Sequence, residues 1–258
     1  MTSSPAGPSS PRRPSTLLEA VSTQLRRDPG QPCLTFYDAA TGERIELSWV
    51  TFDNWTSKVA NLFTDELDAQ PGDRITLTLP THWLGPAVLF GAWAAGLVPA
   101  YGDAGGDAVV HVVGPDPLAA EPSGGTVLAC SLRPLGGRFT EPLPSGWLDF
   151  AVEVPPQPDL LLMPARVTSA TPATTSSSAD VSHGDLVQAG LARAGELGLA
   201  PGGRLATDLN PADPGTMATA LAAPWSVGGS VVLVVNADRD QRAEIVAQER
   251  VSCSFWSD

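Results

Sequence analysis

Residues 71–100 read PGDRITLTLPTHWLGPAVLFGAWAAGLVPA. Pro71, Gly72 and Asp73 form a tight turn into a strand, Arg74 to Leu79, which Pro80 ends. Leu84 to Ala95 follows at helical length and is apolar nearly all round, stopping at Gly96. Leu97 to Ala100 can open the next strand. A helix with no wet face belongs between layers rather than on a surface. Strand, buried helix, strand is the pattern of a parallel sheet covered on both faces. The expected fold is therefore α/β, with layered, largely parallel sheets flanked by helices.

Outward from this unit the same rhythm holds. Upstream, Thr16 to Glu19 has the form of a capping box, and Leu17, Leu18, Val21 and Leu25 recur at helical spacing up to Asp28-Pro29-Gly30. Cys33–Asp38 and Arg44–Ser48 alternate like a hairpin around Thr41-Gly42. A second helix is expected from about Thr51 to Leu67, with Phe52, Trp55, Val59, Leu62, Phe63 and Leu67 on one stripe. Downstream, short strands are expected at Val109–Val113, Val127–Cys130 and Leu160–Met163. Thr168–Asp180 reads as a Ser/Thr/Ala loop and His183–Leu197 as a helix, with Ser182 as N-cap and Asp185 three residues on. Strands at Gly203–Thr207 and Gly229–Val235, a short helix at Thr216–Ala223, a helix at Arg239–Arg250 and a closing strand at Val251–Phe255 complete the pattern. Residues 1–15 carry almost nothing to bury and are expected to be disordered. The stiff Pro155-Pro156-Gln157-Pro158 connector divides the rest into 16–154 and 159–258, either two subdomains or one compact unit.

Composition excludes several classes. The 258 residues carry a formal charge of −13, which repels phosphate backbones and argues against a nucleic-acid partner. Only one basic residue, Lys58, is a lysine. Cys33, Cys130 and Cys253 are odd in number and far apart, so neither a disulfide framework nor a zinc site is indicated. No apolar run reaches membrane-spanning length, and no apolar stretch follows Arg12 and Arg13 closely enough for a secretory signal. The expectation is a cytoplasmic chain that does not enter a membrane.

Several segments, in order, resemble the adenylate-forming superfamily of acyl-CoA synthetases, adenylation domains and luciferases. Ser48-Trp49, the helix with Ala60-Asn61-Leu62, and Pro71-Gly72-Asp73-Arg74 match one stretch of that pattern. Ala94 to Pro99 is similar to its alanine-glycine-X-valine-proline segment. Thr168-Ser169 with Ser182 to Leu186 resembles the end of its phosphate loop and the helix behind it, and Gly228 to Leu233 a strand further on. The likeness covers roughly residues 16 to 256 and implies an N-terminal-half fold of that kind.

Adenylation joins a carboxylate to the α-phosphate of ATP and expels pyrophosphate, so it needs positive charge and open main-chain donors at the phosphates. The resemblance implies a Gly-rich loop bearing a lysine. Here residues 168–180 hold neither glycine nor lysine, Pro172 lacks an N–H, and Asp180 brings negative charge. The candidate ligand-binding residues are the loop's Thr168, Ser169, Thr171, Thr174 and Thr175, followed by Ser182 and His183. The family's second lysine and its ribose- and metal-binding motifs would lie past Asp258, and Lys58 matches neither lysine. No catalytic residue, metal or cofactor is assigned; ATP or AMP binding stays open only through the hydroxyls. His82, His111 and His183 have no metal spacing, and no GxSxG elbow occurs. Gly102 to Gly106 reads as a loop. Trp83, Trp93 and Trp225 are expected in the core or a pocket wall. The expected role is a non-catalytic, adenylate-forming-like protein with a protein partner or a second copy of itself. The alternatives are half an enzyme completed by a second polypeptide, or a module that binds an acyl or nucleotide ligand.

Overall fold

The computed structural model of the chain describes residues 13–116, 122 and 124–257. Of the tail expected to be disordered, residues 1–12 lie outside that set; Ser15 lies inside it and donates its N–H and hydroxyl to Glu19.

Two sheets share one core. Strands β3 (Arg74–Thr78), β4 (Val98–Tyr101), β5 (Val110–Val113), β6 (Thr126–Ala129), β7 (Leu148–Asp149), β8 (Pro172–Ser176) and β9 (Val181–Ser182) make a seven-stranded sheet. Its order is β7-β6-β5-β3-β4-β8-β9, parallel except for the β8–β9 hairpin. A five-stranded sheet has the order β12-β10-β11-β1-β2 and comprises β1 (Pro32–Asp38), β2 (Glu43–Ser48), β10 (Arg204–Thr207), β11 (Ser230–Val235) and β12 (Cys253–Phe255). It is parallel except for the β1–β2 hairpin. Each sheet draws strands from both sides of Pro155–Pro158. The connector is therefore a link inside one fold and not a seam between two sheets.

The helices fill the space the sheets enclose. All of α3 (Leu84–Ala94) is buried, as its all-round apolar sequence requires. It ends where Gly96 takes φ +80°, a left-handed turn that packs so closely on Pro71 and Ala165 that a Cβ would sit 2.7 Å from the Ala165 methyl. Phe90 of α3 meets Phe52 of α2 (Trp49–Asn61) at 5.2 Å and Trp225 of α6 (Ala223–Ser226) at 5.0 Å, edge to face. With α1 (Leu17–Arg27) and α5 (His183–Glu196), these helices join Leu34 and Leu233 of one sheet to Ile75 and Val112 of the other in a single core cluster. Trp83, Trp93 and Trp225 are all core residues. The remaining helices are short α4 (Phe150–Glu153) and α7 (Arg239–Gln248).

Four expectations are corrected. Leu160–Met163 is not a strand: it runs over the surface without pairing. The Ser/Thr/Ala segment is not all loop, because Pro172–Ser176 adds to the free edge of β4 as β8. The second helix starts earlier, capped by the Ser48 hydroxyl accepting from Thr51 N–H at 3.2 Å, and widens into a π-helical turn at Leu62–Glu66. The helix expected at Thr216–Ala223 is a second such turn, Ala218–Ala222, running into α6.

Candidate functional site

In an open parallel sheet, ligands bind outside the carboxyl ends of strands, where the chain's path reverses. Here β4 lies on one side of β3 and β5 on the other, so the reversal falls at β3. A cavity of about 680 Å³ lies elsewhere, against α1 to α3; the one at this reversal is about 440 Å³. Leu79 and Pro80 past β3, Tyr101 of β4, Pro115 and Asp116 past β5, and Asn210, Ala212 and Asp213 past β10 line it. Its walls are stitched across the two sheets. Asn210 Nδ2 donates to the Leu79 carbonyl at 2.7 Å, the Tyr101 hydroxyl to the Ala212 carbonyl at 2.6 Å, and the Thr81 hydroxyl to the Asp208 carbonyl at 3.2 Å. Burial, and then the Asp213 carboxylate, push the Tyr101 phenol upward, so it stays a neutral donor. Asp116 and Asp213 contribute the charge of this crevice, and none of its lining residues is basic.

The loop residues fall into two groups, Thr168, Ser169 and Thr171 before β8 and Thr174 and Thr175 within it, Thr175 lying roughly 13 Å beyond Thr171 at about 3.3 Å per residue. At the first end, Thr168 N–H donates to Thr171 Oγ1 at 3.0 Å, and the two hydroxyls meet at 3.2 Å. Thr171 N–H turns back to the Thr168 carbonyl. The His183 and Gly184 N–H groups, which open α5, donate to the Thr171 and Ser169 carbonyls at 2.9 and 2.8 Å. Ser182 and Asp185 complete a reciprocal capping box. At the second end, beside Tyr101, Thr175 donates to the Asp180 carboxylate at 2.5 Å. Ser176 N–H and hydroxyl both reach the Ala179 carbonyl, and Ala179 N–H returns to Ser176 Oγ at 3.3 Å. Thr174 and Thr175 are buried in the strand.

The donors that open a helix, and those of a tight loop, are what cradles a phosphate elsewhere. In this chain the N–H groups that open α5, and those of Thr168, Thr171, Ser176 and Ala179, are turned on carbonyls and hydroxyls of the same segment. The residues present do not fit a polyphosphate: the tip carries a carboxylate, and Pro172 has no N–H to offer. His183 is equally occupied with packing. It is 1% exposed, its ring stands edge-on to Trp93 at 5.0 Å, and burial pulls its pKa from 6.5 to about 4. Trp93 in turn donates Nε1–H to the Ala173 carbonyl at 2.7 Å, tying α3 to β8. His82 and His111 are also buried, and burial lowers the pKa of each. Among the described residues no group of His, Cys, Asp and Glu could hold a metal ion, and no helix is long and apolar enough to cross a membrane.

Sequence reasoning singled out residues 168–183, as a loop and a helix start, but missed the crevice. Its signal was available: each lining segment follows the carboxyl end of a strand in the α/β rhythm.

No protein-family model matches the chain. A TIGR03089 family protein of Mycobacterium tuberculosis is 35% identical over 247 residues, 93% of this chain and 98% of the relative. Among solved structures, the chain is similar to the acetoacetyl-CoA synthetase of Streptomyces lividans, with a TM-score of 0.75 and 18% identity over 94% of this chain and 42% of that one. It is similar also to the acyl-CoA synthetase of Brucella canis, with a TM-score of 0.73 and 18% identity over 92% of this chain and 47% of that one. An anthranilate CoA ligase solved with anthranoyl-AMP gives 0.71 and 17%, over 94% and 49%. The chain spans less than half the length of each of these structures. Its fold is that of the N-terminal half of an adenylate-forming enzyme.

Proposed function

The chain belongs to the TIGR03089 family, and on the geometry of residues 168–185 we propose that it is a non-catalytic protein of adenylate-forming fold, acting as a binding, regulatory or partner subunit. The observation that carries this reading is that the N–H groups opening α5, with those of Thr168, Thr171, Ser176 and Ala179, are bound within the hairpin's own chain. Phosphoryl chemistry is accelerated by donors and cations already aimed at the charge that develops. A hairpin that must first break its own hydrogen bonds supplies no such preorganisation. The electrostatics point the same way, since Asp116 and Asp213 line the crevice and Asp180 sits on the hairpin, all carrying the sign a phosphate repels. Neither ATP nor a metal is assigned. The free thiols, Cys33 and Cys130 buried and Cys253 half-buried, suit a reducing compartment, and we place the protein in the cytoplasm.

The test is ATP–pyrophosphate exchange by the purified protein across a panel of carboxylic acids. No exchange is expected, and robust exchange would overturn the reading. Exchange appearing only when a lysine-bearing polypeptide is added would favour half an enzyme instead. The preformed crevice favours one second reading, a module that holds a ligand without turning it over. Melting curves with ATP, AMP and acyl-CoA separate the two, because a ligand that binds the native state raises the transition.

A further inference from the structure

The cavity of about 680 Å³ shares no lining residue with the crevice past β3. α1 supplies Leu18 and Arg26 to its walls, α2 supplies Asp53, and α3 supplies Phe90. Leu161 forms a further wall, on a segment that α2 holds in place. Lys58 donates Nζ to the Pro155 carbonyl at 2.8 Å and the Gln157 carbonyl at 2.5 Å, and pairs with Asp159 at 2.9 Å. One turn on, Asn61 Nδ2 donates to the Pro158 and Leu160 carbonyls at 3.0 and 3.2 Å. Past Leu161, Ala165 N–H donates to the Ala94 carbonyl of α3 at 2.8 Å. The space is thus preformed, and its size is that of a small-molecule site.

Its charges are left open in a particular way. Val50 N–H donates to the Pro29 carbonyl at 3.0 Å, so the end of α1 meets the start of α2. Arg26 and Asp53 lie within a turn of that contact and line the same end of the cavity. Among the described residues neither makes an ion pair, with the other or with any third group. Arg26 reaches only the Thr23 hydroxyl of its own helix, at 3.2 Å. Asp53 has no hydrogen bond from a described residue, and burial raises its pKa, as befits a carboxylate short of a counter-charge. Glu19, two turns back along α1, is by contrast engaged by the Ser15 N–H and hydroxyl at 2.7 and 2.6 Å.

This pairing of opposite, unmatched charges selects among ligands. A simple cation would answer Asp53 but meet Arg26 as a like charge, and a simple anion the reverse. An apolar molecule would strip water from both and return nothing. A molecule with an ammonium and a carboxylate on one carbon answers both at once, and its remaining body can extend over Leu18 and Leu161. We propose that the cavity binds the zwitterion of an α-amino acid with an apolar side chain, Asp53 taking the ammonium and Arg26 the carboxylate. The site stands apart from the question of turnover: exchange activity would overturn the non-catalytic reading and leave this one intact.

Calorimetric titration of the full chain with L-leucine, L-phenylalanine and L-tryptophan tests it. At least one is expected to saturate with a Kd of about 1 mM or tighter. Its deaminated acid should bind about tenfold more weakly, because Asp53 is half-buried. Its decarboxylated amine should bind about threefold more weakly, because Arg26 is exposed and its attraction is screened. Asp53→Asn should weaken the amino acid about tenfold and Arg26→Gln about threefold, with melting points no lower than the wild type's, since neither side chain belongs to the core. The proposal is overturned if none of the three amino acids saturates, if the acid or the amine binds as tightly as the amino acid, or if either variant binds it as tightly as the wild type.

Discussion

A histidine buried as a neutral ring makes stability depend on pH in a way a catalytic or solvent-exposed one does not. His183 is 1% exposed with Nδ1 lacking a partner, and its pKa falls from 6.5 to about 4. The unfolded chain therefore binds a proton near pH 6.5 that the folded chain refuses until about pH 4. The stability this imbalance supports is whole above pH 6.5 and drains away as the pH falls. Between pH 7 and pH 5 one such ring loses about 1.8 kcal/mol, at about 1.36 kcal/mol per pH unit once the unfolded ring is charged. His82, 4% exposed and shifted to the same value, doubles that to about 3.7 kcal/mol. Carboxylates titrate in the same scan, so the decisive quantity is a double difference. Urea unfolding followed by tryptophan fluorescence, at pH 7 and pH 5, is compared between the wild type and His183→Gln. The variant is less stable at pH 7, having lost its ring contact with Trp93, but loses about 1.8 kcal/mol less than the wild type on acidification. Equal losses in the two proteins, or an imidazole proton signal that titrates near 6.5 in the folded wild type, would refute the reasoning.

Gly190 and Gly195 share α5 and should answer alanine with opposite signs. At Gly190 a Cβ would lie 2.6 Å from the Ala222 main chain, so Gly190→Ala is expected to cost about 1–3 kcal/mol in chemical denaturation. At Gly195 nothing lies within 4 Å, and alanine should gain about 0.5–1 kcal/mol. Glu249 accepts hydrogen bonds from Tyr37, Arg44 and Arg204; burial pushes its pKa up, but these bonds outweigh it and leave the carboxyl net lowered. Glu249→Gln should lose about 3 kcal/mol at pH 7, and the gap to the wild type should narrow below about pH 4.5, where the unfolded chain's carboxyl takes up a proton that the native carboxylate, its pKa lowered, still refuses. Lys58→Met removes the donors that fix 155–159, and limited proteolysis should then cut within 155–163 faster than in the wild type, with the global unfolding midpoint little changed.

Periodicity carried the framework. The all-apolar helix between two short strands placed α3 between the layers, and the Thr16 and Ser182 caps marked helix starts. Two segments were misread for opposite reasons. Leu160–Met163 is apolar enough for a strand, but Lys58 and Asn61 take its neighbouring carbonyls, so no sheet edge receives it. Residues 172–176 are polar and small enough for a loop, but the free edge of β4 and the indole N–H of Trp93 capture them. In both cases a side chain remote in sequence decided the local backbone. The π-helical turns at 62–66 and 218–222 have no sequence signature at all. At the candidate site, the composition of 168–180 announced missing charge and missing glycine. That the N–H groups opening α5 are bound by the segment's own carbonyls and hydroxyls, and that the crevice opens beside Tyr101, needed the third dimension.

The central pairing of the five-stranded sheet joins Leu34 to Val231. On a ribosome adding about 5–20 residues per second, the N-terminal hairpin waits roughly 10–40 s for that neighbour. Throughout that interval one rim of β1 and its apolar face are bare, an invitation to wrong partners. Cells making this chain should depend on chaperones during synthesis, and slower translation should lower its soluble yield.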